Sequence, residues 1–495
     1  MGGSVAAVIA VIDGLLVANA MPRGPDGTAQ ALTLLVTSLI VGILCGLALR
    51  SRWAMVLAPV AQVIAFEVGR SEATGPLVDG IRFDSTYGIL AFILGRGVYA
   101  LTGVIPMLLG VAYGAAIARR VGRRSARSHR RLGIYMRRGF GGITTLGVIS
   151  LAFVIAWPAS VPPVLGADAE RVPGSIAELT KVRLGGHDQW IEVRGASVEK
   201  PVLLWLAGGP GQSDLAYTRV LFADLSRDFV VVDWDQRGTG KSHPALDPTS
   251  TWTLDQAVSD TIELTNYLRT RFGEQKIYLA GESWGTTLGV LAVQRQPELY
   301  YAWIASGQIV SERETDRQTY QLLLAYADST GDQDLAATLR ELGEPPYDDV
   351  FAYTVLLEHY DDLTPDYSPP PAYVTLGNNS GIGPYGILGS EYTFIDKVNV
   401  LAGLLDMFTV MYPQLQDIDF RSDVPHLDVP VYLMQGRYEL ASRDGLARDW
   451  FTHLQAPDKQ LFTIENAGHS AAYEGYQEFH RIMTEVVLPA TYGQT

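Results

Sequence analysis

Residues 276–292 read KIYLAGESWGTTLGVLA, and this stretch decides the fold that the sequence predicts. Its first part, 276–280, has the short apolar composition of a buried strand, and 285–297 has the apolar spacing of a helix. Gly281 and Gly285 stand on either side of the residues that join them. A sharp strand-to-helix turn between small residues holds a serine hydroxyl exposed at the edge of a sheet. The stretch therefore predicts such a corner with Ser283 at its tip, although a serine that only caps the helix fits the same pattern.

The alternation of strand and helix extends along residues 175–490. Further β-rich runs occupy 201–206, 229–233, 302–306, 429–434 and 460–464, and further helical patterns occupy 253–272, 444–455 and 471–487. Strands that alternate with helices form a parallel sheet between helical layers, so the sequence predicts an α/β domain. The alternation of strand and helix is interrupted at about 310–425, a part of the chain that is rich in tyrosine, proline and acidic residues. We interpret this part as an inserted helical cap over the strand ends, where open parallel sheets bind ligands.

A serine hydroxyl needs a base and an orienting acid to become a nucleophile at neutral pH. In this topology both come later in the chain than the serine, the acid first and the histidine second. His469 lies in a short glycine-containing loop after the last predicted strand, and Glu439 lies just past the strand at 429–434. We therefore predict Ser283, His469 and Glu439 as nucleophile, base and acid. Asp444, five residues beyond Glu439, is the alternative acid.

Backbone N–H groups must stabilise the negative charge that such a reaction develops on oxygen. Residues 206–211, LAGGPG, come directly after a predicted strand, and a glycine-rich turn lets backbone amides approach a substrate closely. We predict the N–H groups of Gly209 and Trp284 as the oxyanion hole. A phosphate-binding loop is excluded, because this turn has no Gly-Lys-Ser/Thr ending. The single cysteine, Cys45, excludes a cysteine-cluster metal site, and we expect neither a metal nor a cofactor.

The 495 residues carry a formal net charge of −15 that is divided unevenly. Residues 1–164 hold 15 arginines, no lysine and 6 acidic residues, a net charge of +9. Residues 165–495 hold 23 basic and 47 acidic residues, a net charge of −24. Such an acidic exterior excludes nucleic acid as a partner, because phosphate backbones require basic surface. It favours cationic substrates.

Residues 1–162 have the composition of a multi-span membrane region. Apolar runs of about the 17–25 residues that cross a bilayer lie at 5–21, 31–49, 53–69, 88–118 and 140–162. The run at 88–118 fits one long tilted helix or a helix broken near Gly103 to Pro106. Nine arginines without an acid between 119 and 138 predict a cytoplasmic loop. The sequence thus predicts about five spans in a lipid bilayer, a linker at 163–174, and an extracytoplasmic domain after it.

Five motifs of the acidic part occur together and in order. They are GGPG (208–211), DQRGTGKS (235–242), GESWG (281–285), GRY (436–438) and GHS (468–470). As a set they resemble the proline iminopeptidase family of α/β-hydrolases over about residues 175–490. The resemblance implies an α/β-hydrolase fold with a helical cap, a Ser283 nucleophile, a His469 base and an acid after GRY. The chain departs from the family pattern at Ala207, where histidine is usual, and at Glu439, where aspartate is usual, although glutamate can also orient an imidazole in this fold.

The resemblance also implies a substrate class. Members of that family recognise the free α-amine of a substrate through cap glutamates, and Glu312 and Glu314 lie where the predicted cap begins. The implied protein is a membrane-anchored serine hydrolase, an aminopeptidase that releases N-terminal residues from small peptides. Two alternatives stay open, because a fold does not determine a substrate. One is an esterase or lipase that acts on lipids or small esters, and the other is a non-catalytic membrane sensor whose hydrolase-like domain only binds a ligand.

Overall fold

The computed structural model describes residues 2–51, 53–83, 85–121, 131–166, 168–376 and 386–493. The chain divides into two compact units. One unit consists of residues 1–159 with 393–402, and the other consists of residues 160–392 with 403–495.

The first unit contains the apolar helices of the N-terminal region. They are α1 (Gly2–Ala20), α2 (Thr28–Leu49), α3 (Ala54–Gly69), α4 (Thr86–Phe92), α5 (Ile105–Val121) and α6 (Arg131–Ala156). Two π-helical segments, Ile93–Gly97 and Ala100–Val104, lie between α4 and α5. Residues 86–120 therefore form one long helix, which is not broken at Gly103 to Pro106.

Four helical stretches of the described chain are long and apolar enough to cross a membrane, judged by length and composition. They are Gly2–Ala20, Thr28–Leu49, Thr86–Arg120 and Gly139–Ala156. The helix α3, which covers the predicted run at 53–69, has 16 residues and is shorter than these. Residues 122–130, which hold part of the predicted arginine-rich loop, lie outside the described residues.

Glycines let the backbones of α2 and α5 contact each other directly. A Cβ on Gly42 of α2 would lie 2.2 Å from the carbonyl oxygen of Met107, and a Cβ on Gly110 of α5 would lie 2.1 Å from that of Leu39. Small residues that let two backbones meet are typical of helix packing inside membranes. Large apolar side chains point outward instead; Leu16 of α1, for example, is 65% exposed.

The charged residues that interrupt these apolar helices have polar or charged partners, on the same helix or on a neighbouring one. Gln62 of α3 donates a hydrogen bond from Nε2 to Oδ2 of Asp13 on α1, at 2.5 Å. Glu67 forms ion pairs with Arg70 at 2.7 Å and with Arg96 at 3.0 Å. Such pairing reduces the cost of placing a charged group in an apolar environment.

An eight-stranded mixed sheet lies at the centre of the second unit. Its strands are β1 (Ile176–Leu184), β2 (His187–Gly195), β3 (Val202–Leu206), β4 (Val230–Asp235), β5 (Ile277–Glu282), β6 (Tyr300–Ser306), β7 (Val431–Gly436) and β8 (Lys459–Ile464). The strand order is β1-β2-β4-β3-β5-β6-β7-β8. The pairs β1/β2 and β2/β4 are antiparallel and the other pairs are parallel. Strands β3 to β8 correspond to the six predicted apolar runs, and the α/β fold class is confirmed.

Strands β1 and β2 have no counterpart among the predicted runs, because polar residues are interspersed with the apolar ones in both. Only two of the nine residues of β1 are buried. Gly185 and Gly186, with φ of +54° and +82°, form the turn between the two strands. A hairpin at the edge of a sheet, covered on one side only, lacks the continuous apolar signal of a strand that is buried on both faces.

Helices cover both faces of the parallel strands. Along β3, Leu204 and Leu206 pack into one apolar cluster, and Leu203 and Trp205 pack into a second. Because successive side chains of a strand point to opposite faces, the two clusters lie on opposite sides of the sheet. This explains why these strands are apolar at every position.

The remaining helices include the part of the chain that we interpret as a cap. They are α7 (Leu215–Leu221), α8 (Leu254–Phe272), α9 (Trp284–Arg295), α10 (Glu312–Thr330), α11 (Gln333–Leu342), α12 (Thr354–Glu358), α13 (Pro371–Thr375), α14 (Phe394–Leu415), α15 (Phe420–Asp423), α16 (Ala441–His453), α17 (Ala471–Glu474), α18 (Tyr476–Ile482) and α19 (Leu488–Thr491). Helices α10 to α15 lie between β6 and β7 in the chain. The helix predicted at 471–487 is interrupted at Gly475, where a Cβ would lie 2.4 Å from Cγ2 of Ile464.

Candidate active site

Ser283 occupies a strained turn between β5 and α9. Its φ is 50° and its ψ is −119°, a conformation that residues other than glycine rarely adopt. Its N–H donates to the carbonyl oxygen of Ser306, at the end of β6, over 3.1 Å. Strain of this kind persists only where the surrounding structure enforces it, and it is concentrated at functional sites. The serine is partly exposed, so a substrate can reach it.

Close packing explains the glycines on both sides of this serine. A Cβ on Gly281 would lie 2.7 Å from the carbonyl oxygen of Gly285. A Cβ on Gly285 would lie 2.1 Å from the carbonyl oxygen of Leu206, at the end of β3. The first turn of α9 is therefore in backbone contact with β3, and no side chain fits between them.

His469 and Glu439 contact each other in the loops after β8 and β7. Nδ1 of His469 lies 2.5 Å from Oε2 of Glu439, and Oε1 of Glu439 accepts a hydrogen bond from the N–H of Leu440 at 2.9 Å. Burial raises the pKa of Glu439, but His469 and Arg443 outweigh burial and hold the pKa below its ordinary value. The Glu439 carboxyl is therefore ionised at neutral pH and accepts a hydrogen bond from Nδ1–H of the imidazole.

Asp444, the alternative acid, has a different partner. It lies on α16 with Oδ2 at 2.7 Å from Nε of Arg448. Arg437, which precedes Glu439 in the sequence, pairs with Glu465 at 2.7 Å. Of the two predicted acids, the structure brings only Glu439 to the histidine.

Two glycines make room for the histidine loop. A Cβ on Gly307 would lie 3.0 Å from Nδ1 of His469, and a Cβ on Gly436 would lie 1.9 Å from the carbonyl oxygen of Gly468. Nε2 of His469 is buried and has no hydrogen-bond partner among the residues that the structure describes. The imidazole is thus held at Nδ1 and has Nε2 left to accept a proton, as a general base requires.

The glycine-rich turn after β3 lies against the serine corner. A Cβ on Gly208 would lie 3.4 Å from the Cβ of Ser283. Gly209 has a φ of +112°, which glycine adopts without strain. Trp284 is the first residue of α9, where backbone N–H groups have no partner within the helix. The two predicted oxyanion donors, Gly209 and Trp284, therefore belong to segments that meet at Ser283.

Gln236 is a residue of this site to which the sequence analysis assigns no role. Its Oε1 accepts a hydrogen bond from Nε1 of Trp284 at 2.9 Å, and its Nε2 donates to the carbonyl oxygen of Ala207 at 3.4 Å. It therefore links the residue after the serine to the residue before the glycine turn. The available signal was its position in the DQRGTGKS motif, directly after β4.

The structure separates the two glutamates that were predicted to bind an amine. Glu312 is the first residue of α10 and is buried; burial raises its pKa, whereas Arg443 and His469 lower it. Glu314 forms an ion pair with Arg317 of the same helix at 2.5 Å, and this pair lowers the pKa of Glu314 to about 2. Only Glu312 belongs to the surroundings of the histidine.

Arg443 is a largely buried cation among these acids, with a side chain that is 12% exposed, and nothing in the sequence pattern predicts its place. Its Nη1 lies 3.8 Å from Oε1 of Glu439. Burial raises the pKa of Asp316 to about 8, with a further contribution from Glu312. A single guanidinium thus faces three carboxyl groups, two of which are costly to ionise. An incoming cation would draw Glu312 and Asp316 towards their charged forms and would itself be stabilised.

Metal-ligating side chains are not clustered in the described part of the chain. Within those residues, no group of three or more His, Cys, Asp or Glu side chains is placed to hold a metal ion. The carboxyl group nearest to His469 is that of Glu439, which the imidazole and the N–H of Leu440 already engage.

The chain is similar to several known proteins. Residues 201–476 match the family model of the alpha/beta hydrolase fold. A probable aminopeptidase of Bacillus subtilis (strain 168) is 28% identical over 301 residues, which are 61% of this chain and 93% of that protein. A proline iminopeptidase of Lactobacillus delbrueckii subsp. bulgaricus is 30% identical over 228 residues, which are 42% of this chain and 74% of that protein. Among solved structures, the proline iminopeptidase-related protein of Thermus thermophilus is 21% identical, with a TM-score of 0.44 and coverage of 64% of this chain and 98% of that chain.

Proposed function

The chain belongs to the α/β-hydrolase family and is proline iminopeptidase-like, and we propose that it is a serine aminopeptidase that releases N-terminal residues from small peptides. The observation that carries the proposal is the pairing of His469 with the buried Glu439, together with the strained conformation of Ser283. A base held by an orienting acid is what a serine hydroxyl needs in order to act as a nucleophile. The names of the relatives support a peptide as the substrate.

The proposed reaction has two steps. Oγ of Ser283 attacks the carbonyl carbon of the first peptide bond while Nε2 of His469 takes the hydroxyl proton; the proton then passes to the leaving amine as the C–N bond breaks. Water attacks the resulting ester, His469 takes a proton from it, and the free N-terminal residue leaves as Ser283 regains its proton. Glu439 holds Nδ1–H of the imidazole and stabilises the imidazolium in both steps.

The tetrahedral intermediate needs donors for its oxygen. In our proposal these are the N–H groups of Gly209 and Trp284. Gln236 supports them, because its two hydrogen bonds connect Trp284 to the start of the glycine turn. Removal of one oxyanion donor typically lowers kcat about 100-fold to 1,000-fold.

Recognition of the substrate amine is proposed for Glu312. The side chain is buried, and it is close enough to His469 and to the largely buried Arg443 for both to affect its pKa. A protonated α-amine that entered this region would gain an ion pair in a site of low dielectric. Glu314 is not part of this proposal, since Arg317 already neutralises it.

The function is tested by labelling the full chain in detergent with a fluorophosphonate and by assaying proline arylamide and p-nitrophenyl esters in parallel. We expect labelling and arylamide hydrolysis, both abolished in Ser283→Ala. The matched control is Ser329→Ala, an exposed serine whose hydroxyl donates to the carbonyl oxygen of Tyr326 in its own helix. Turnover of esters alone would favour an esterase, and absence of labelling and turnover would favour a ligand-binding sensor.

The N-terminal helices are proposed to cross a lipid bilayer and to leave the hydrolase unit on the extracytoplasmic side. Support comes from the four apolar helices of sufficient length, from glycine contacts such as that of Gly42 with Met107, and from outward-facing side chains such as Leu16. The orientation rests on the arginines between 119 and 138, of which those at 122–130 lie outside the described residues. A reporter that is active only outside the cytoplasm, fused after residue 165, should be active; an inactive fusion that is present in normal amount would overturn the orientation.

A further inference from the structure

Glu282, the residue before the proposed nucleophile, is a buried carboxyl that the proposed reaction does not use. It is 2% exposed, and its Oε2 has no hydrogen-bond partner among the described residues. The position is the last residue of β5, so its side chain is fixed by the same corner that orients Ser283. A buried polar atom without a partner is uncommon and is often connected with function.

The carboxyl of Glu282 lies between two segments of the site. On one side, its Oε2 would lie 3.5 Å from a Cβ on Gly208, so it borders the glycine turn that is proposed to hold the oxyanion. On the other side, the side chain of Ser470, the residue after His469, is close enough to lower the pKa of Glu282. Glu282 therefore lies between the oxyanion turn and the histidine loop.

The groups that face Glu282 are acids and phenols. They come from the turn after β3, from α7, α13 and α17, and from the loop after β7: Asp214, Tyr217, Tyr373, Tyr473, Glu474 and Glu439. Burial and the charge of Asp214 raise the pKa of Glu282 to about 8. At neutral pH the carboxyl is therefore largely protonated and uncharged.

We propose that Glu282 is a positioning residue that leaves the border of the oxyanion turn uncharged while its carboxyl is neutral, and whose ionisation switches the site off at alkaline pH. An ionised Glu282 would place a negative charge beside the turn at Gly208, in a buried region where charges interact strongly. The same turn has to stabilise a negative oxygen in the transition state. The like charge would therefore slow the attack of Ser283. This inference rests on the proposed function of Ser283.

The test measures the rate of fluorophosphonate reaction with the full chain in detergent as a function of pH. This probe has no titrating amine, so the profile reports groups of the enzyme only. With a pKa of about 8, we expect the wild-type rate to fall about tenfold between pH 7 and pH 9. In Glu282→Gln, whose side chain stays neutral, the rates at pH 7 and at pH 9 should differ by less than about twofold.

Two further variants keep the test decisive if Glu282→Gln does not fold. Ser470→Ala removes a hydroxyl that lowers the pKa of Glu282, so the alkaline decline should move to higher pH. Glu465→Gln removes an exposed acid paired with Arg437 and should leave the decline where it is. An alkaline decline that is unchanged in Glu282→Gln, or in Ser470→Ala where Glu282→Gln does not fold, with labelling intact, would overturn this inference alone. Failure of the wild-type chain to react at all would overturn the proposed function and this inference with it.

Discussion

Oε2 of Glu439 lies 2.5 Å from Nδ1 of His469, and the Glu439 side chain is only 1% exposed. The contact joins the loops after β7 and β8, which meet so closely at Gly436 that only glycine fits there. It determines which imidazole nitrogen carries the proton, because the carboxylate accepts from Nδ1 and leaves Nε2 as the basic nitrogen. Removal of the carboxylate should therefore disable the base without removing the imidazole.

Glu439→Gln should lower kcat for an aminoacyl arylamide about 1,000-fold to 10,000-fold. The amide is nearly the same size as the carboxylate, but it neither fixes the tautomer nor stabilises an imidazolium. The measurement is steady-state kinetics, with circular dichroism to verify folding. Asp444→Asn is the matched control, because Asp444 pairs with Arg448 and should change kcat less than about twofold. A Glu439→Gln enzyme that retained a tenth of the wild-type kcat would contradict the assigned role.

The serine corner and the histidine loop could be predicted because their signals are local. The apolar run before Ser283 and the glycines on both sides of it specify a strand, a turn and a helix within one short stretch. His469 is identified by its position after the last strand, and Glu439 by its position after the strand before. The order of the strands along the chain therefore predicts the main residues of the candidate site.

The surroundings of the site could not be predicted because they depend on distant parts of the chain. Glu312 and Glu314 differ by two positions on α10, but only Glu312 turns inward, whereas Glu314 reaches Arg317 on the same helix. Arg443 acquires its role from residues on other elements, such as Tyr360, over whose ring it lies at 5.0 Å. Neither fact has a sequence signal, since a charged residue near a helix start is usually solvated.

Glu312→Gln should raise KM for substrates with a free α-amine about tenfold to 100-fold. The amide cannot form an ion pair with the ammonium group, whereas Ser283, His469 and Glu439 are unaltered. The control is Glu314→Gln, which should leave KM unchanged because Glu314 is already paired. The measurement compares KM for a proline arylamide and for its N-acetylated form. An equal change for both substrates would show that Glu312 does not bind the amine.

Two glycine substitutions in helices should change stability in opposite directions. Gly289→Ala in α9 would place a Cβ 2.2 Å from Cη2 of the buried Trp303. We expect a loss of about 1–3 kcal/mol in the free energy of unfolding, since a rigid indole cannot yield. Gly445→Ala in α16 has no heavy atom within 4 Å of its new Cβ, so it should gain about 0.5–1 kcal/mol. Urea unfolding followed by tryptophan fluorescence measures the change in the free energy of unfolding for each variant. Equal changes in the two variants would contradict the packing described for α9.

Asp316→Asn should reduce the loss of folding stability that the wild type undergoes as the pH rises from about 4 to about 8. Burial raises the pKa of Asp316 to about 8 in the folded chain, although Tyr412 donates a hydrogen bond to its Oδ1 at 2.7 Å. A group whose pKa is raised by folding stabilises the folded state fully below its unfolded pKa, and this contribution is lost as the pH rises through the folded pKa. Asparagine keeps a carbonyl acceptor for Tyr412 and never ionises, so the variant should gain on the wild type as the pH rises. Glu314→Gln is the opposite case: the pKa of Glu314 is lowered to about 2, and its contribution is lost only as the pH falls below about 4.5. The test measures the free energy of unfolding of the wild type and of Asp316→Asn at pH 5 and at pH 8. A difference in this free energy between the two proteins that is the same at both pH values would contradict the burial of an uncharged Asp316.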